Sequence, residues 1–249
     1  MIYDLFLAFI QAVTEFFPIS SSGHLALIEM IFKHEPDMFF FIVLHLASLL
    51  AVVIFTRREI VKLISFDKNY SRMWIYLIIA TIPAAIFGYF FDSKIESFFS
   101  SLFFLSFAFI FTGIILLLTR FHSYYSELNW KNAIFVGLFQ ILALFPGVSR
   151  SGMTISAGLF TGIKKEEAAK FSFLLSIPVI SGAFLLELIK TPLSLPLVYS
   201  WIVPFLICVV FSLIFLNFLY YVIRKGNFWM FSFYCFFVGI ICLMFYFFQ

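Results

Sequence analysis

Long apolar runs occupy most of the sequence and leave few folds open to it. About 20 apolar residues in a helix cross the hydrocarbon core of a bilayer. Six runs approach or exceed that length, at residues 39–55, 73–91, 98–119, 168–189, 197–223 and 228–248. Only 12% of the 249 residues are charged, against roughly 25% in soluble domains. This excludes a soluble enzyme, a disordered protein, a coiled coil and a secreted disulfide scaffold, and it predicts one integral membrane domain over residues 1–249.

Two further apolar regions are interrupted by polar residues. Residues 1–17 are followed by Pro18 and a serine run before the apolar pattern resumes at 23–32, and residues 130–145 are interrupted in the same way before a second arm that reaches about residue 163. Each arm is short for a crossing, so the pairs are typical of re-entrant hairpins or broken helices. The predicted fold is an all-α polytopic membrane protein with six transmembrane helices plus two re-entrant helical hairpins.

The two interrupted regions resemble each other. Gln11, Ser20, Ser22 and Gly23 match four residues at a constant offset of 129, namely Gln140, Ser149, Ser151 and Gly152. A second similarity relates residues 82–88 to residues 177–182. Related halves of opposite orientation form an inverted repeat, whose binding site lies where the broken elements meet. We therefore predict an inverted repeat with halves of about 1–119 and 120–249.

The distribution of basic residues predicts the orientation in the membrane. With the loop after the first span on the cytoplasmic side, Lys33, Lys94 and Lys190 lie outside. Twelve other basic residues then lie inside: Arg57, Arg58, Lys62, Lys68, Arg72, Arg120, Lys131, Lys164, Lys165, Lys170, Arg224 and Lys225. This satisfies the positive-inside rule. The formal net charge is only +3 and the basic residues are loop residues, so nucleic acid is not an expected partner.

The first interruption carries a constellation of polar residues. Gln11 and Glu15 are four residues apart and share a helix face, which Pro18 then ends. Ser20, Ser21 and Ser22 follow, and Ser21 and His24 are three residues apart, so they can meet if that segment is helical. An ionisable residue inside an apolar segment usually marks a site; the alternative is an interhelical hydrogen-bond cluster.

The second interruption has the composition of a phosphate site. Arg150 is the only cation well inside an apolar region, and Gly147, Ser149, Ser151 and Thr154 surround it. A new helix starts here, and its free N–H groups favour an anion. Arginine adds bidentate recognition of phosphate. The alternative interpretation, that Arg150 pairs with Glu15 as a buried structural bridge, is compatible with phosphate binding.

Together the two interruptions suit cleavage of a phosphate or diphosphate. Glu15 and Gln11 can hold a hard divalent cation, Mg²⁺ or Ca²⁺, through oxygen atoms. The cation and Arg150 would neutralise the phosphate oxygens in the transition state. The nucleophile is either Ser21 or a water, and His24 can activate either. Outside this set, His45 lies inside the span 39–55; we favour an interhelical hydrogen bond there over a place at the site.

Both motifs resemble the signatures of the undecaprenyl-diphosphate phosphatase family of the bacitracin-resistance type. The residues concerned run from Glu15 to His24 and from Pro146 to Thr154, and the (Glu/Gln)-x-x-x-Glu motif is met by Gln11 and Glu15. The resemblance covers the whole chain and implies hydrolysis of undecaprenyl diphosphate to undecaprenyl phosphate and phosphate, which recycles the lipid carrier of bacterial wall synthesis. It also implies a divalent cation, the bacterial cytoplasmic membrane and an active site that opens to the outer face.

The family's site residues carry over position by position. Glu15, Ser21, His24 and Arg150 fall on its catalytic positions. The supporting, substrate-binding positions are Gln11, Ser20, Ser22, Gly147, Ser149, Ser151 and Thr154. Expected partners are undecaprenyl diphosphate and membrane lipid, and a homo-oligomer stays open. The alternative function is a transporter or flippase of an anionic isoprenoid lipid, which would need the anion site but no nucleophile.

Overall fold

The chain is built from α-helices. The computed structural model describes residues 2–33, 38–65, 70–190 and 195–248, and over these residues it contains helices and no β-strand. The α-helices are α1 (Ile2–Phe16), α2 (Ser21–Phe32), α3 (Met38–Phe55), α4 (Arg57–Ile64), α5 (Ser71–Ser97), α6 (Leu102–Leu118), α7 (Trp130–Leu142), α8 (Arg150–Phe160), α9 (Lys165–Lys190), α10 (Leu195–Lys225) and α11 (Phe231–Phe248). Short 3₁₀ turns precede α6, follow α6 and precede α11.

Five of the described helices are long and apolar enough to cross a membrane: α5, α6, α9, α10 and α11. The helix α3 passes the same test only together with α4, so the described residues provide five crossings, or six where this bent pair counts as one span. The predicted all-α polytopic membrane fold is therefore confirmed. The observed helices extend past several predicted ends, because a helix continues through polar residues until its backbone is capped, whereas an apolar run ends at the first charge. Thus α5 continues through Asp92 and Lys94 to Ser97.

The short helix α4 turns away from α3 by 75°. Arg57 and Arg58 are exposed, while Leu63 is buried. Glu59 of α4 accepts a hydrogen bond from Lys170 Nζ of α9 at 2.7 Å. An amphipathic helix with this charge distribution is suited to a membrane surface, and the contact brings predicted cytoplasmic residues of two helices to one end of the bundle.

Both predicted hairpins are present as pairs of short helices. α1 and α2 contain 15 and 12 residues, and α7 and α8 contain 13 and 11, fewer than the roughly 20 that cross a bilayer. Ser20 caps α2 by accepting from Gly23 N at 3.2 Å, and Ser149 caps α8 by accepting from Gly152 N at 3.1 Å. The two breaks therefore share the serine cap that the offset of 129 residues predicted, although the backbone differs, with φ of +69° at Ser20 and −77° at Ser149.

The helices of the two predicted halves are interleaved. α1 packs most extensively on α10, α7 packs on α5 and α6 packs on α11. At the offset of 129, α7 is the counterpart of α1 and α10 is the counterpart of α5, so the first two pairings are equivalent. This is the arrangement that a two-fold repeat requires. The similarity between residues 82–88 and 177–182 relates α5 to α9 instead, so it does not follow this offset. The division into halves of 1–119 and 120–249 stays a prediction.

Candidate active site

The two breaks touch each other inside the bundle. A Cβ atom placed on Gly23 would lie 2.7 Å from Gly147 Cα, so no side chain fits between them. Gly147 has a φ of +88°, and its carbonyl oxygen accepts from Thr112 Oγ1 at 3.1 Å. Its predicted role in substrate binding thus corresponds, in the structure, to a place at the contact between the breaks.

A cavity of about 240 Å³ lies beside this contact. Its polar lining is Glu15, Ser20, Ser21, Ser22, His45, Gln140, Ser149 and Arg150. The helices α2 and α8 both begin here, at Ser21 and Arg150. The first N–H groups of a helix have no intrahelical partner, and the helix dipole favours negative charge at that end. Two helix N-termini and one guanidinium therefore face a single cavity, which makes it an anion site.

Glu15 is buried at the end of α1, accepts hydrogen bonds from three side chains and lies close to a fourth. Its Oε2 accepts from Ser21 Oγ at 2.6 Å and from Gln11 Nε2 at 3.1 Å, and it lies 3.3 Å from His45 Nε2. Its Oε1 pairs with Arg150 Nη2. A carboxylate is tolerated in an apolar interior only with such compensation. The structure thus forms the Glu15–Arg150 pair that the sequence had left open.

The predicted contact between Ser21 and His24 is not formed in the described structure. His24 Nδ1 donates to the carbonyl oxygen of Ser20 at 2.7 Å, and His24 Nε2 accepts from Tyr234 Oη at 2.8 Å. The ring also stacks on the Tyr234 ring, with an interplanar angle of 15°. Both ring nitrogens are therefore engaged away from Ser21, and His24 is absent from the described lining of the cavity. Its geometry is that of a residue that holds the first break in position.

His45 reaches the site instead. It lies on α3, lines the cavity and places Nε2 toward Glu15, because its Nδ1 donates to the carbonyl oxygen of Phe41 at 2.7 Å. The sequence analysis favoured an interhelical hydrogen bond for His45. The structure records a close contact of 3.3 Å between two helices rather than that hydrogen bond, and the group contacted is the central carboxylate of the site. The sequence indicated this residue only as a histidine inside an apolar span. Which helix the histidine faces depends on the tertiary fold and could not be predicted from the sequence.

The other predicted binding residues divide into two groups. Ser20, Ser22 and Ser149 line the cavity. Ser151 and Thr154 are buried behind it: Ser151 Oγ donates to the carbonyl oxygen of Phe16 at 3.3 Å, and Thr154 Oγ1 donates to the carbonyl oxygen of Arg150 at 2.9 Å. Ser151 thus joins α8 to the first hairpin, and Thr154 Oγ1 also lies 2.6 Å from Ser172 Oγ of α9. Neither residue is in the described lining of the cavity.

Gln140 is a lining residue to which the sequence analysis gave no chemical role. It is buried, and its Nε2 donates to the carbonyl oxygen of Ala80 at 3.2 Å. Its Oε1 is buried and has no hydrogen-bond partner among the residues that the structure describes. Its counterpart at the offset of 129, Gln11, likewise has a buried Oε1 without a partner in the described part of the chain. The repeat was the signal that could have identified Gln140.

The residues of the site can bind a divalent cation only if water and substrate phosphates supply the remaining ligands. Among the described residues there is no group of three or more His, Cys, Asp and Glu placed to hold a metal ion. Gln11 Oε1, however, is an acceptor without a donor, and Gln11 Nε2 donates to the carboxylate of Glu15. One carboxylate and one amide oxygen suit Mg²⁺, which commonly takes its remaining ligands from water and substrate phosphates.

Comparisons with known proteins agree with this geometry. The family model described as "Bacitracin resistance protein BacA" matches residues 4–241. A protein of Thermosipho melanesiensis named "Undecaprenyl-diphosphatase" is 42% identical over 244 residues, which cover 95% of this chain and 96% of the relative. A Methanococcus vannielii protein of the same name is 40% identical, with 94% and 95% covered. A third, from Thermosipho africanus, is 43% identical over 207 residues, with 80% and 84% covered.

Proposed function

The chain belongs to the bacitracin resistance protein BacA family, and from this membership and the geometry of the site we propose how it acts. It is an undecaprenyl-diphosphatase, a membrane hydrolase that converts undecaprenyl diphosphate to undecaprenyl phosphate and inorganic phosphate. The observation that carries the mechanism is the hydrogen bond of 2.6 Å from Ser21 Oγ to Glu15 Oε2 at the wall of an anion cavity. No observation favours the alternative of a transporter.

The diphosphate binds where α2 and α8 begin. Its terminal phosphate lies at the two helix N-termini, where the dipoles and the free N–H groups favour an anion. Arg150 is 18% exposed, so it can turn part of its guanidinium from Glu15 to the phosphate. The hydroxyls of Ser20, Ser22 and Ser149 line the same cavity. They can donate hydrogen bonds to the oxygens of a phosphate bound there.

Ser21 is the nucleophile in this mechanism and Glu15 is its base. Ser21 Oγ forms a bond to the terminal phosphorus while its proton passes to Glu15 Oε2, and the anhydride bond breaks. The departing undecaprenyl phosphate takes up the proton. Water then attacks the phosphoserine and gives its proton to Glu15, the bond from phosphorus to Ser21 breaks, and Ser21 Oγ recovers a proton from Glu15. Phosphate leaves and the site is restored.

Glu15 and Gln11 would hold the divalent cation implied by the family. When bound, the cation would neutralise charge on the phosphate oxygens. The remaining work falls to the protein's own groups. Gln11 keeps the carboxylate of Glu15 in place by donating to Oε2, and His45 Nε2 lies 3.3 Å from the same oxygen. Arg150 supplies a permanent positive charge.

The chain is a multi-pass membrane protein, and we place it in the cytoplasmic membrane with the site opening to the outer face. The basic residues of α4 and the start of α9 support this orientation, since they meet at one end of the bundle. The site lies nearer the opposite end, where α5 carries Asp92 and Glu96. There the enzyme would recycle the lipid carrier of wall synthesis, and its activity accounts for a role in bacitracin resistance.

Phosphate release from undecaprenyl diphosphate by the protein purified in detergent tests this function. The reaction is run with Mg²⁺ or Ca²⁺ and with EDTA, for the wild type and for Glu15→Ala and Arg150→Ala. We expect metal-dependent release that both substitutions abolish. Absence of release from wild-type protein that still binds the lipid would overturn the proposed function and favour a transporter.

The nucleophile is tested separately with substrate that carries ³²P in its terminal phosphate. After quenching in acid, labelled protein is expected from the wild type and from Ser22→Ala, and none from Ser21→Ala. Ser22 is a matched control because it is the adjacent hydroxyl in the same cavity. Label on Ser21→Ala protein, or wild-type turnover without labelled protein in rapid quenching, would assign the attack to another group or to water.

A further inference from the structure

An apolar groove leaves the active-site cavity and runs along the face between α5 and α9. Its upper part has a volume of about 400 Å³ and shares Ile42, Phe99, Leu144, Val179 and Ala183 with the wall of the active-site cavity. Its lower part, of about 440 Å³, continues toward α4 and shares Thr81, Ala85 and Pro178 with the upper part. The three spaces are therefore contiguous.

The lower part of the groove offers almost nothing to a polar ligand. Its walls come from α3, α4, α5 and α9, and include Val53, Leu63, Ile78, Ile82, Leu174 and Ile177. The hydroxyl of Thr81 donates to the carbonyl oxygen of Leu77 at 2.7 Å, and the indole nitrogen of Trp74 donates to the carbonyl oxygen of Leu63 at 2.9 Å. These two polar groups of the wall are thus satisfied within the protein, and an apolar chain suits the remaining surface.

The groove is open on the side that faces lipid. Ile78 is 56% exposed and Ile82 is 48% exposed, and both lie on the wall of the lower part. The hydrocarbon chain of a lipid can therefore enter the groove laterally from the bilayer. The far end of a long hydrocarbon chain can leave the groove again. Because lipid is as apolar as the groove, burial itself contributes little to binding; the groove acts by directing the chain.

The upper part of the groove differs in charge. Asp92, Glu96 and Glu187 stand along its wall toward the outer end of α5 and α9. Carboxylates at membrane depth disfavour an apolar chain beside them. An apolar chain that leaves the active-site cavity is therefore expected to turn at the narrow passage formed by Thr81, Ala85 and Pro178 and to continue downward toward α4.

Gly182 lies in this wall without a structural reason for being glycine. A Cβ atom added there would meet nothing within 4 Å, and the residue is in the interior of α9, where glycine costs up to about 1 kcal/mol of helix stability relative to alanine. The missing side chain leaves space in the groove. The sequence similarity between residues 82–88 and 177–182 falls on the two helices that face each other here, and both contain an interior proline.

We propose that this groove binds the isoprene units of the substrate that are nearest the diphosphate. The tail passes from the active-site cavity through the passage at Thr81, Ala85 and Pro178 into the lower part of the groove. This inference rests on the proposed function, since it concerns the same substrate. It accounts for specificity in two parts. The anion site binds the diphosphate, and the groove selects a long apolar chain that can lie against α5 and α9.

Substitutions that add bulk to the wall of the groove test the proposal. Ala85→Phe and Gly182→Leu add bulk to the groove from an exposed position and from a position with free space. The matched controls are Ile86→Phe and Leu185→Phe, which change exposed residues of the same helices outside the described lining of the groove. A large side chain at either position obstructs the path of the isoprene units, so we expect KM for undecaprenyl diphosphate to rise about tenfold or more, with KM of the controls unchanged.

A short substrate separates tail binding from damage to the catalytic groups. With isopentenyl diphosphate, whose single isoprene unit does not reach the passage, the groove variants should keep the kcat/KM of the wild type. An equal loss for both substrates, or no loss for the long one, would overturn the groove assignment. Release of phosphate by the wild type from undecaprenyl diphosphate is the independent test of the proposed function. Failure of the proposed function can therefore be distinguished from failure of the groove assignment.

Photolabelling locates the tail without turnover. A prenyl diphosphate with a diazirine in its second or third isoprene unit should label α5 and α9 of the wild type, and excess undecaprenyl diphosphate should suppress the label. Ala85→Phe should lose this label. Label on the outer faces of α10 or α11 would overturn the proposal. So would a change in oligomeric state of Ala85→Phe without loss of label, which would make the groove a contact between copies of the chain.

Discussion

His45 Nε2 lies 3.3 Å from Glu15 Oε2, so a residue of the α3 span completes the set of polar side chains around the carboxylate of the first hairpin. This contact fixes Glu15 from a direction that neither hairpin supplies. Gln11 and Ser21 approach from the two arms of the first hairpin, and Arg150 approaches from the second. His45 therefore ties the geometry of the site to a membrane-spanning helix.

Replacement of His45 by leucine is expected to lower kcat. If the contact of 3.3 Å tightens to a hydrogen bond with the charged carboxylate in the transition state, it is worth about 1.5–3 kcal/mol, which corresponds to roughly ten- to a hundredfold in rate. His45→Gln keeps an N–H donor near the position of Nε2 and should recover most of the activity. Steady-state kinetics with undecaprenyl diphosphate measure both variants; equal activity of the leucine and glutamine variants would contradict this role.

Loss of either member of the Glu15–Arg150 pair should destabilise the protein. Removing one partner of a buried pair leaves an uncompensated charge and costs about 3–5 kcal/mol, and the partial exposure of Arg150 places the expected loss at the lower end. The double variant Glu15→Gln with Arg150→Met leaves no buried charge. It should unfold at a higher temperature than either single variant, although it is inactive. Thermal unfolding in detergent checks this, and additive losses would argue against the pairing.

His24 is expected to act by holding the first break in place. His24→Asn keeps a donor for the carbonyl oxygen of Ser20 and should retain much of the wild-type kcat, whereas His24→Ala should lose activity. General acid–base catalysis contributes about 10²–10⁴ in rate, so an asparagine variant as inactive as the alanine variant would instead make His24 a proton-transfer group. Tyr234→Phe removes only the hydroxyl that donates to Nε2 and should stay close to the wild type.

The contact between the breaks should tolerate no added carbon atom. Gly23→Ala would bring Cβ within 2.7 Å of Gly147 Cα, and this contact has backbone on one side, so the breaks must separate. We expect a loss of about 1–3 kcal/mol of stability together with loss of activity. Gly182→Ala is the control, since Cβ has free space there, and it should be neutral or slightly stabilising. Unfolding temperature and yield of folded protein distinguish the two variants.

A second carboxylate beside Glu15 should change the response to metal. Gln11→Glu replaces an amide that donates to Glu15 with a group that repels it, so the variant should be less stable than the wild type in EDTA. Mg²⁺ should restore its stability and reach half-maximal activity at a lower concentration than in the wild type. The measurements are unfolding temperature and activity against Mg²⁺ concentration. Unchanged metal dependence would place the cation elsewhere.

Local chemistry made much of the site predictable from the sequence. Pro18 ends α1, and Ser20 and Ser149 cap the helices that follow them. An arginine and a glutamate in apolar segments form a pair because burying either charge without a partner costs much free energy. These are properties of short segments or of charge balance, and a sequence displays both. The breaks, the cavity of the two helix N-termini and the pair of Glu15 with Arg150 follow from them.

The rest depended on which helix faces are neighbours. His45 is one polar residue in an apolar span, and nothing local says whether it faces lipid, α9 or Glu15. His24 was expected near Ser21 from a spacing of three, but the backbone carbonyl of Ser20 lies four residues before it and accepts from the ring. Ser151 and Thr154 likewise found backbone acceptors within the protein, a competition that residue type does not reveal.

The ion pair at the centre of the site also sets an order for biosynthesis. Glu15 and Arg150 are 135 residues apart, and α10, on which α1 packs, begins only at Leu195. A ribosome therefore delivers the acid to the membrane long before its counter-charge and its supporting helix exist. An unpaired carboxylate is costly in hydrocarbon, so the first hairpin must wait at the water interface while the later spans are inserted. Catalytic competence arises only when α10, which begins at Leu195 in a chain of 249 residues, has been synthesised.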